Sequence, residues 1–381
     1  MIDKYLYTLI AFSATDIIGY NRFISIKKKF NDISEFLECD LNYQMNLLGL
    51  KTELAKKILL NMKKQADIII EQCEQKKIDF IPHNSSLYPP LLKDIIDPPY
   101  LLYSQGIMNP TIPLIAVIGT RNSTPEAEEI NKWFCKTFAQ YGLGVVSGLA
   151  KGHDAIASDT VLKHEGYTIG VLGTAIDTVY PSSSSYLFQK IREKGVLISE
   201  YPPGMTSTKW RFPRRNRIVS GLSQAVCVIQ APEKSGTMIT VNIASEQGKD
   251  VYVVPGNPMI NQNSGTNILI QKGTKLALNP IDIIQDVLKS NPNLETIQFL
   301  AQDSSQIIKK EDLVEEIIEE NQYSLSTEEV KILELAYEHI HIDEISRTLE
   351  MNISTLNGLL TMMEIKGLII QKPGQIYIKK G

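Results

Sequence analysis

From Tyr201 to Pro232 the chain has no aspartate or glutamate, although Asp and Glu together number 43 in its 381 residues. Other absences narrow the field further. The four cysteines, Cys39, Cys73, Cys135 and Cys227, lie far apart and form no CxxC pair, which excludes a disulfide framework or a zinc site and marks them as reduced core thiols. Apolar runs are short. The stretch Tyr5 to Phe12 cannot cross a bilayer and carries neither a basic lead nor a small-residue cleavage site, so a soluble cytoplasmic protein without a membrane span is expected. The formal net charge of −4 excludes a generally basic, histone-like binder and restricts any nucleic-acid contact to a focused patch. Neither G-x-G-x-x-G nor the P-loop pattern occurs, so a dinucleotide or ATP site has no support and no cofactor is expected. There is no G-x-S-x-G elbow, and His153 has no Cys, His or carboxylate partner at metal-ligand spacing.

Into the acid-free window fall Lys209, Arg211, Arg214, Arg215 and Arg217. Arginine suits phosphate because its planar fork donates two parallel hydrogen bonds and keeps its charge. Pro213 fixes the entry to this segment, and the apolar run from Ile218 to Ile229 anchors its far side. The alternative is a solvated basic surface loop.

Along the chain the patterning changes three times. Residues 1–80 show helical periodicity, and Leu48-Gly49-Leu50 before Thr52 to Lys57 reads as helix, glycine turn, helix. This resembles a SAM or helix-hairpin-helix module, which either grips DNA phosphates or serves only packing. The prolines of Tyr88-Pro89-Pro90 and Asp97-Pro98-Pro99 exclude helix interiors and mark an extended connector with a domain boundary. From Pro113, six apolar runs each end in a glycine-rich or polar loop: 114–118, 144–146, 167–172, 195–198, 225–229 and 251–254. Near-continuous apolar strands separated by amphipathic helices specify a parallel sheet covered on both faces, so residues 81–290 are expected to form a Rossmann-like domain. Residues 291–323 read as an acidic linker. Residues 324–381 show helices at Thr327 to His339, Ile342 to Leu349 and Ser354 to Lys366, then a hairpin around Pro373-Gly374, which is the order of a winged helix.

Ligands of doubly wound sheets sit beyond the carboxyl ends of the strands. Three loops at those ends suit an anion. Gly119 to Ser123 offers backbone N–H groups with Arg121 above them. Ser147-Gly148 and Lys151-Gly152 flank a second loop, and Lys234-Ser235-Gly236-Thr237 opens a helix. Together with Phe212, Asn216 and the cations between 209 and 217, these residues are the expected phosphate-binding surface. Trp210, Phe212 and Tyr180 are possible base-stacking platforms or core residues. His153, Asp154 and Glu200 are the polar acid or base groups near this surface, and Asp154 reads as structural or capping.

These residues carry a family resemblance over essentially the whole chain. Tyr88-Pro89 with Asp97-Pro98-Pro99, Val117 to Arg121, Ser147 to Gly152, Leu172 to Asp177, Tyr180-Pro181, Ile198 to Gly204, Phe212 to Ile218, Ser235 to Thr237, Glu246 to Gly248 and Val254 to Gly256 resemble, in order, the blocks of the DNA processing protein A family, also called DprA or Smf. The resemblance implies a non-enzymatic single-stranded-DNA binder that protects incoming DNA and loads the RecA recombinase during natural transformation, with a Rossmann domain that forms homodimers. The chain departs from the family at His153, which replaces an apolar residue, at Ser158, which replaces a usual His, and in the run Ser182 to Ser185.

An enzyme on the same fold is the competing reading. Ser235-Gly236-Thr237 resembles the middle of the G-G-x-G-T-x-x-E loop of nucleoside-monophosphate phosphoribohydrolases, but Ile239 and Thr240 stand where the catalytic carboxylate would follow. In the tail, residues 354–364 contain no Lys or Arg, and from Thr327 onward eight acids face six cations. A recognition helix reading duplex DNA needs basic residues, so this unit reads as a protein or self-association surface, with Lys372, Lys379 and Lys380 left for auxiliary DNA contact.

Overall fold

The valine- and isoleucine-rich runs form the centre of one large sheet. A computed structural model describes residues 2–290, 327–336, 340–349, 351–365, 368–372 and 374–379. Its parallel strands are β3 (Leu114–Ile118), β4 (Gly144–Ser147), β5 (Thr168–Val171), β6 (Val196–Ser199), β7 (Ala225–Val228), β8 (Asp250–Val253) and β9 (Lys275–Leu276). Two earlier strands, β1 (Asp79–Pro82) and β2 (Leu101–Gly106), add antiparallel at one edge. Among the described residues the order is β1-β2-β6-β5-β4-β3-β7-β8-β9. The chain winds outward from β3 through β4, β5 and β6, then crosses back to lay β7 on the other side of β3. That reversal creates a switch point at the carboxyl ends of β3 and β7.

Side-chain alternation sorts the strands onto two cores. Val196 and Ile198 pack with Ile218, Val219, Val241 and Ala244 on one face, while Leu197 between them joins the other core. The first face is covered by α9 (Arg211–Leu222) and α10 (Gly236–Glu246). Helices α6 (Pro125–Gln140), α7 (His153–Lys163) and α8 (Ser185–Lys194) follow β3, β4 and β5 in turn. The α6 start is encoded locally: Thr124 caps it by accepting from the Ala127 N–H, and Pro125 occupies the first helical position.

The amino-terminal segment folds as α1 (Lys4–Ser13), α2 (Tyr20–Lys29), α3 (Leu41–Leu48) and α4 (Glu53–Lys76). Gly49 takes a left-handed conformation at φ 63° to end α3, and Thr52 caps α4. The boundary placed at 80/81 is not a break in packing. Met1–Leu300 is one compact unit, and Phe12, Phe36, Leu59 and Ile69 of the helical segment share a core with Leu101, Tyr103 and Leu197 of the sheet. The proline-rich connector is corrected too. It carries the short helix α5 (Pro90–Lys93), its Tyr88 hydroxyl donates to the Pro99 carbonyl at 2.7 Å, and it delivers β2 against β6. An open edge on β6 would expose unpaired backbone, and β2 covers it.

The second unit, Ala301–Gly381, contains helices Thr327–Leu335, Ile342–Thr348 and Ile353–Ile365 and a hairpin of Ile369–Lys372 with Ile376–Lys379, to which Ile340–His341 adds a third strand. This is a winged helix closed over Ile332, Ile345, Leu356, Leu360 and Tyr377. The proposed acidic linker, 291–323, lies outside the described residues. No helix among the described residues is long and apolar enough to cross a membrane.

Candidate functional site

A cavity of about 630 Å³ opens at the switch point. Gly119 to Arg121 beyond β3, Gly148 and Ala150 beyond β4, and Pro232 and Lys234 to Thr237 beyond β7 line it, and Lys209, Phe212, Arg215 and Asn216 close it from α9 and the residues before it. The structure therefore brings together Arg121, Gly148, Lys209, Phe212, Arg215, Asn216, Lys234, Ser235, Gly236 and Thr237 from four separate stretches of sequence. Arg121, Lys209 and Lys234 are exposed. At the start of α10, Gly236 and Thr237 belong to the first turn, whose N–H groups have no partner within the helix. Cations and amide donors thus face one concave surface, which is what a phosphate-bearing ligand requires.

Arg215 and Asp154 hold the floor rigid. Nη1 of Arg215 donates to the carbonyls of Gly148 and Val171, and its Nε reaches Asn216 Oδ1 at 3.2 Å. A Cβ on Gly148 would lie 2.3 Å from this guanidinium, so only glycine lets the arginine lie flat on the loop. Asp154 Oδ2 accepts from the Gly148 N–H at 3.0 Å, and its carboxylate takes backbone hydrogen bonds from Gly119 and Ala150 as well. Burial raises the Asp154 carboxyl above its ordinary value, against the opposing pull of Arg215 and the loop amides. Burial likewise lowers the Arg215 guanidinium to about 10, still charged at neutral pH. Gly152, at φ 85°, brings the second loop against the first, because a Cβ there would meet the Thr120 carbonyl oxygen at 2.5 Å.

Three of the arginines do not offer open charge. Arg211 is 3% exposed, donates to Asp16 Oδ2 at 2.7 Å and to the Thr206 carbonyl at 2.8 Å, and stacks over the Tyr201 ring. Arg217 is buried between Glu200 and Asp97, and the half-buried Arg214 donates to Asp97 Oδ2 at 3.2 Å. A helix turns about 100° per residue, so a run of neighbouring arginines on α9 cannot all face one cavity. Only Arg215 does, and the expectation of three arginines presenting a joint anion grip is corrected. Ser147 is internal as well: its hydroxyl meets Ser158 Oγ at 3.0 Å and the Asp154 carbonyl at 3.1 Å. Lys151 is exposed on the second loop beside Gly152, and neither lines the cavity wall.

The aromatic residues divide. Tyr180 is 57% exposed on the cavity rim, with its ring centroid 5.2 Å from that of Phe212, whose ring in turn packs on Gly173. Trp210 is exposed outside the cavity with Arg211 and Arg214 beside its ring. Glu200 is engaged in the arginine network, and His153 is buried in a side-chain amide cluster with Asn131 and Gln230. Asn131, Gln230, Asn263 and Asp16 belong to no motif, so no pattern in the sequence marks them.

Fold and cavity define an α/β protein with a cation-lined cavity at its switch point and, further along the chain, a winged-helix unit. The chain belongs to the DprA/Smf family: the model of DNA recombination-mediator protein A matches residues 79–288, and that of the DprA winged helix domain matches residues 319–375. It is similar to Protein Smf of Synechocystis, 31% identical over 328 residues that make up 82% of each chain. Among solved structures it resembles DprA of Streptococcus pneumoniae, with a TM-score of 0.64 and 29% identity over 74% of this chain and 98% of that one. A second match is the structure describing the single-stranded-DNA-binding mode of DNA processing protein A from Helicobacter pylori, with a TM-score of 0.51 and 31% identity over 56% of this chain and 97% of that one.

Proposed function

We propose that the switch-point cavity binds single-stranded DNA, and that the protein is a recombination mediator which protects incoming single strands and passes them to RecA during natural transformation, without itself being an enzyme. The observation that carries the reading is the convergence of exposed Arg121, Lys209 and Lys234 with the α10 amino terminus on one cavity whose rim holds the exposed Tyr180 ring. Cations and amides neutralise phosphates whatever the base, and an aromatic face stacks any base. Single-strand binding described for the Helicobacter pylori relative supports the same assignment. Of the expected contacts, Arg121, Lys209, Lys234, Ser235, Gly236, Thr237, Phe212 and Asn216 are the direct ones in this reading. Gly148, Gly152, Ser147, Asp154 and Arg215 shape the loops, and Lys151 extends the basic rim.

The binding reading is preferred here to the phosphoribohydrolase one. Among the described residues that line the cavity Asp154 is the acidic one, and its carboxylate is occupied by loop amides. Continuous strands longer than one cavity call for a second copy, so the active species in this proposal is a homodimer in the cytoplasm.

A salt-dependent titration with single-stranded DNA, duplex DNA and a mononucleotide tests the proposal. Single strands should bind tightest, with affinity falling steeply as salt rises. Preference for the mononucleotide, with its hydrolysis, would establish the enzyme instead.

A further inference from the structure

His153 lies where the β3, β4 and β7 loops meet. The ring is fully buried, and a Cβ on Gly119 would sit 2.5 Å from its Cδ2. Its backbone N–H points to the Thr120 carbonyl at 3.5 Å, and the Thr120 N–H donates to the Gln230 carbonyl at 2.7 Å. Arg121 is the next residue along. Its loop is therefore seated on His153 from below and on Gln230 from the side.

The surrounding amides fix the protonation of this ring. Asn131 Nδ2 donates to the His153 carbonyl at 2.9 Å and lies 3.1 Å from Nδ1, while Asn131 Oδ1 accepts from the Cys135 thiol at 3.2 Å. Turning the Asn131 amide over would aim its oxygen at the His153 carbonyl, so the nitrogen stays toward the imidazole and Nδ1 must be bare. On the other side, Gln230 Nε2 is committed to Thr124 Oγ1 at 3.1 Å and Asn263 Oδ1 at 2.8 Å, which leaves Oε1 facing His153 Nε2 at 3.4 Å. The one arrangement that satisfies every donor is the neutral imidazole with its proton on Nε2.

We propose that neutral His153 is the positioning residue of the Arg121 loop, and that its protonation forces Nδ1–H against the Asn131 amide, unseats the loop and weakens polyanion binding in the cavity. The inference rests on the reading of that cavity as a single-strand site. Burial lowers the imidazole below the ordinary histidine value, and Glu128 on α6 and the hydrogen bond to Gln230 oppose this without reversing it. Asp154, the next residue along, turns its carboxylate to the loop amides and is balanced by Arg215, on which Arg121 also acts. The sign follows. The folded state favours the neutral ring, so the lock is complete above the ordinary histidine pKa and is lost as pH falls through the lowered one.

Elementary electrostatics gives the opposite trend, because acid adds positive charge and strengthens binding to DNA. Affinity for an oligo-dT should be measured at fixed ionic strength from about pH 8 to about pH 5. The wild-type chain should lose at least fivefold or so on acidification, whereas His153→Leu and the non-titrating His153→Gln, each checked for folding by circular dichroism, should lose none. Wild-type binding that strengthens or holds steady in acid overturns the inference without any variant. Equal losses in wild type and variants overturn it as well and assign the effect to Asp154. Absence of single-strand binding by the wild type near pH 8 is the separate result that defeats the site reading itself.

Discussion

Arg211 Nη2 lies 2.7 Å from Asp16 Oδ2, tying the loop after α1 to the first turn of α9, nearly two hundred residues later in the chain. The helix that carries Phe212, Arg215 and Asn216 to the cavity is therefore held in place by the amino-terminal segment. Asp16→Ala should cost about 3 kcal/mol, because it strips a buried guanidinium of its counter-charge while Asp16 itself keeps some access to water. Urea denaturation measures this, and a midpoint equal to wild type would show that the pair is not structural.

Arg121→Ala and Lys209→Ala should each weaken single-strand binding equally for all base sequences and flatten the salt dependence by about 0.7 in log–log slope. Arg217→Ala should act differently, lowering the denaturation midpoint with little change in that slope, because its charge is spent on Glu200 and Asp97. Salt titrations that rank Arg217 above Arg121 would reverse the division of the arginines.

Gly152→Ala places a Cβ at φ 85° against the Thr120 carbonyl, a combination of backbone strain and steric overlap costing about 1–3 kcal/mol. Because the clash pushes on the Arg121 loop, affinity should drop by more than the remaining folded fraction explains. Binding assays normalised to folded protein make the comparison.

Deleting residues from Asn321 onward should leave single-strand affinity within a few-fold of the full chain, because helix Ile353–Ile365 carries no cation and DNA affinity scales with phosphates neutralised. The change should appear in a protein partnership or in self-association. A loss of about a hundredfold on either single-stranded or duplex DNA, with the remaining unit folded, would make the winged unit a principal DNA reader.

Light scattering on the purified full chain should show a homodimer at micromolar concentration. A strict monomer with and without DNA would remove the second copy from the proposal.

The sequence by itself determined the parts of this protein that rest on local pattern. Apolar runs such as Leu114–Ile118 and Ala225–Val228 declared buried parallel strands, the glycine loops after them marked where a candidate site would lie, and the spacing of the last helices and hairpin declared a winged helix. Such features need only short-range periodicity and turn chemistry. Tertiary structure decided the rest. Leu101–Gly106 lies too close to prolines to announce a strand, and it becomes one by pairing antiparallel with the edge that β6 presents. The arginines of α9 look alike in sequence, yet helical rotation turns Arg215 toward the cavity and Arg211, Arg214 and Arg217 into ion pairs with Asp16, Asp97 and Glu200, partners 17 to 195 residues away. Which charge is free and which is spent depends on what the fold places opposite it, and a linear pattern holds no record of that distance.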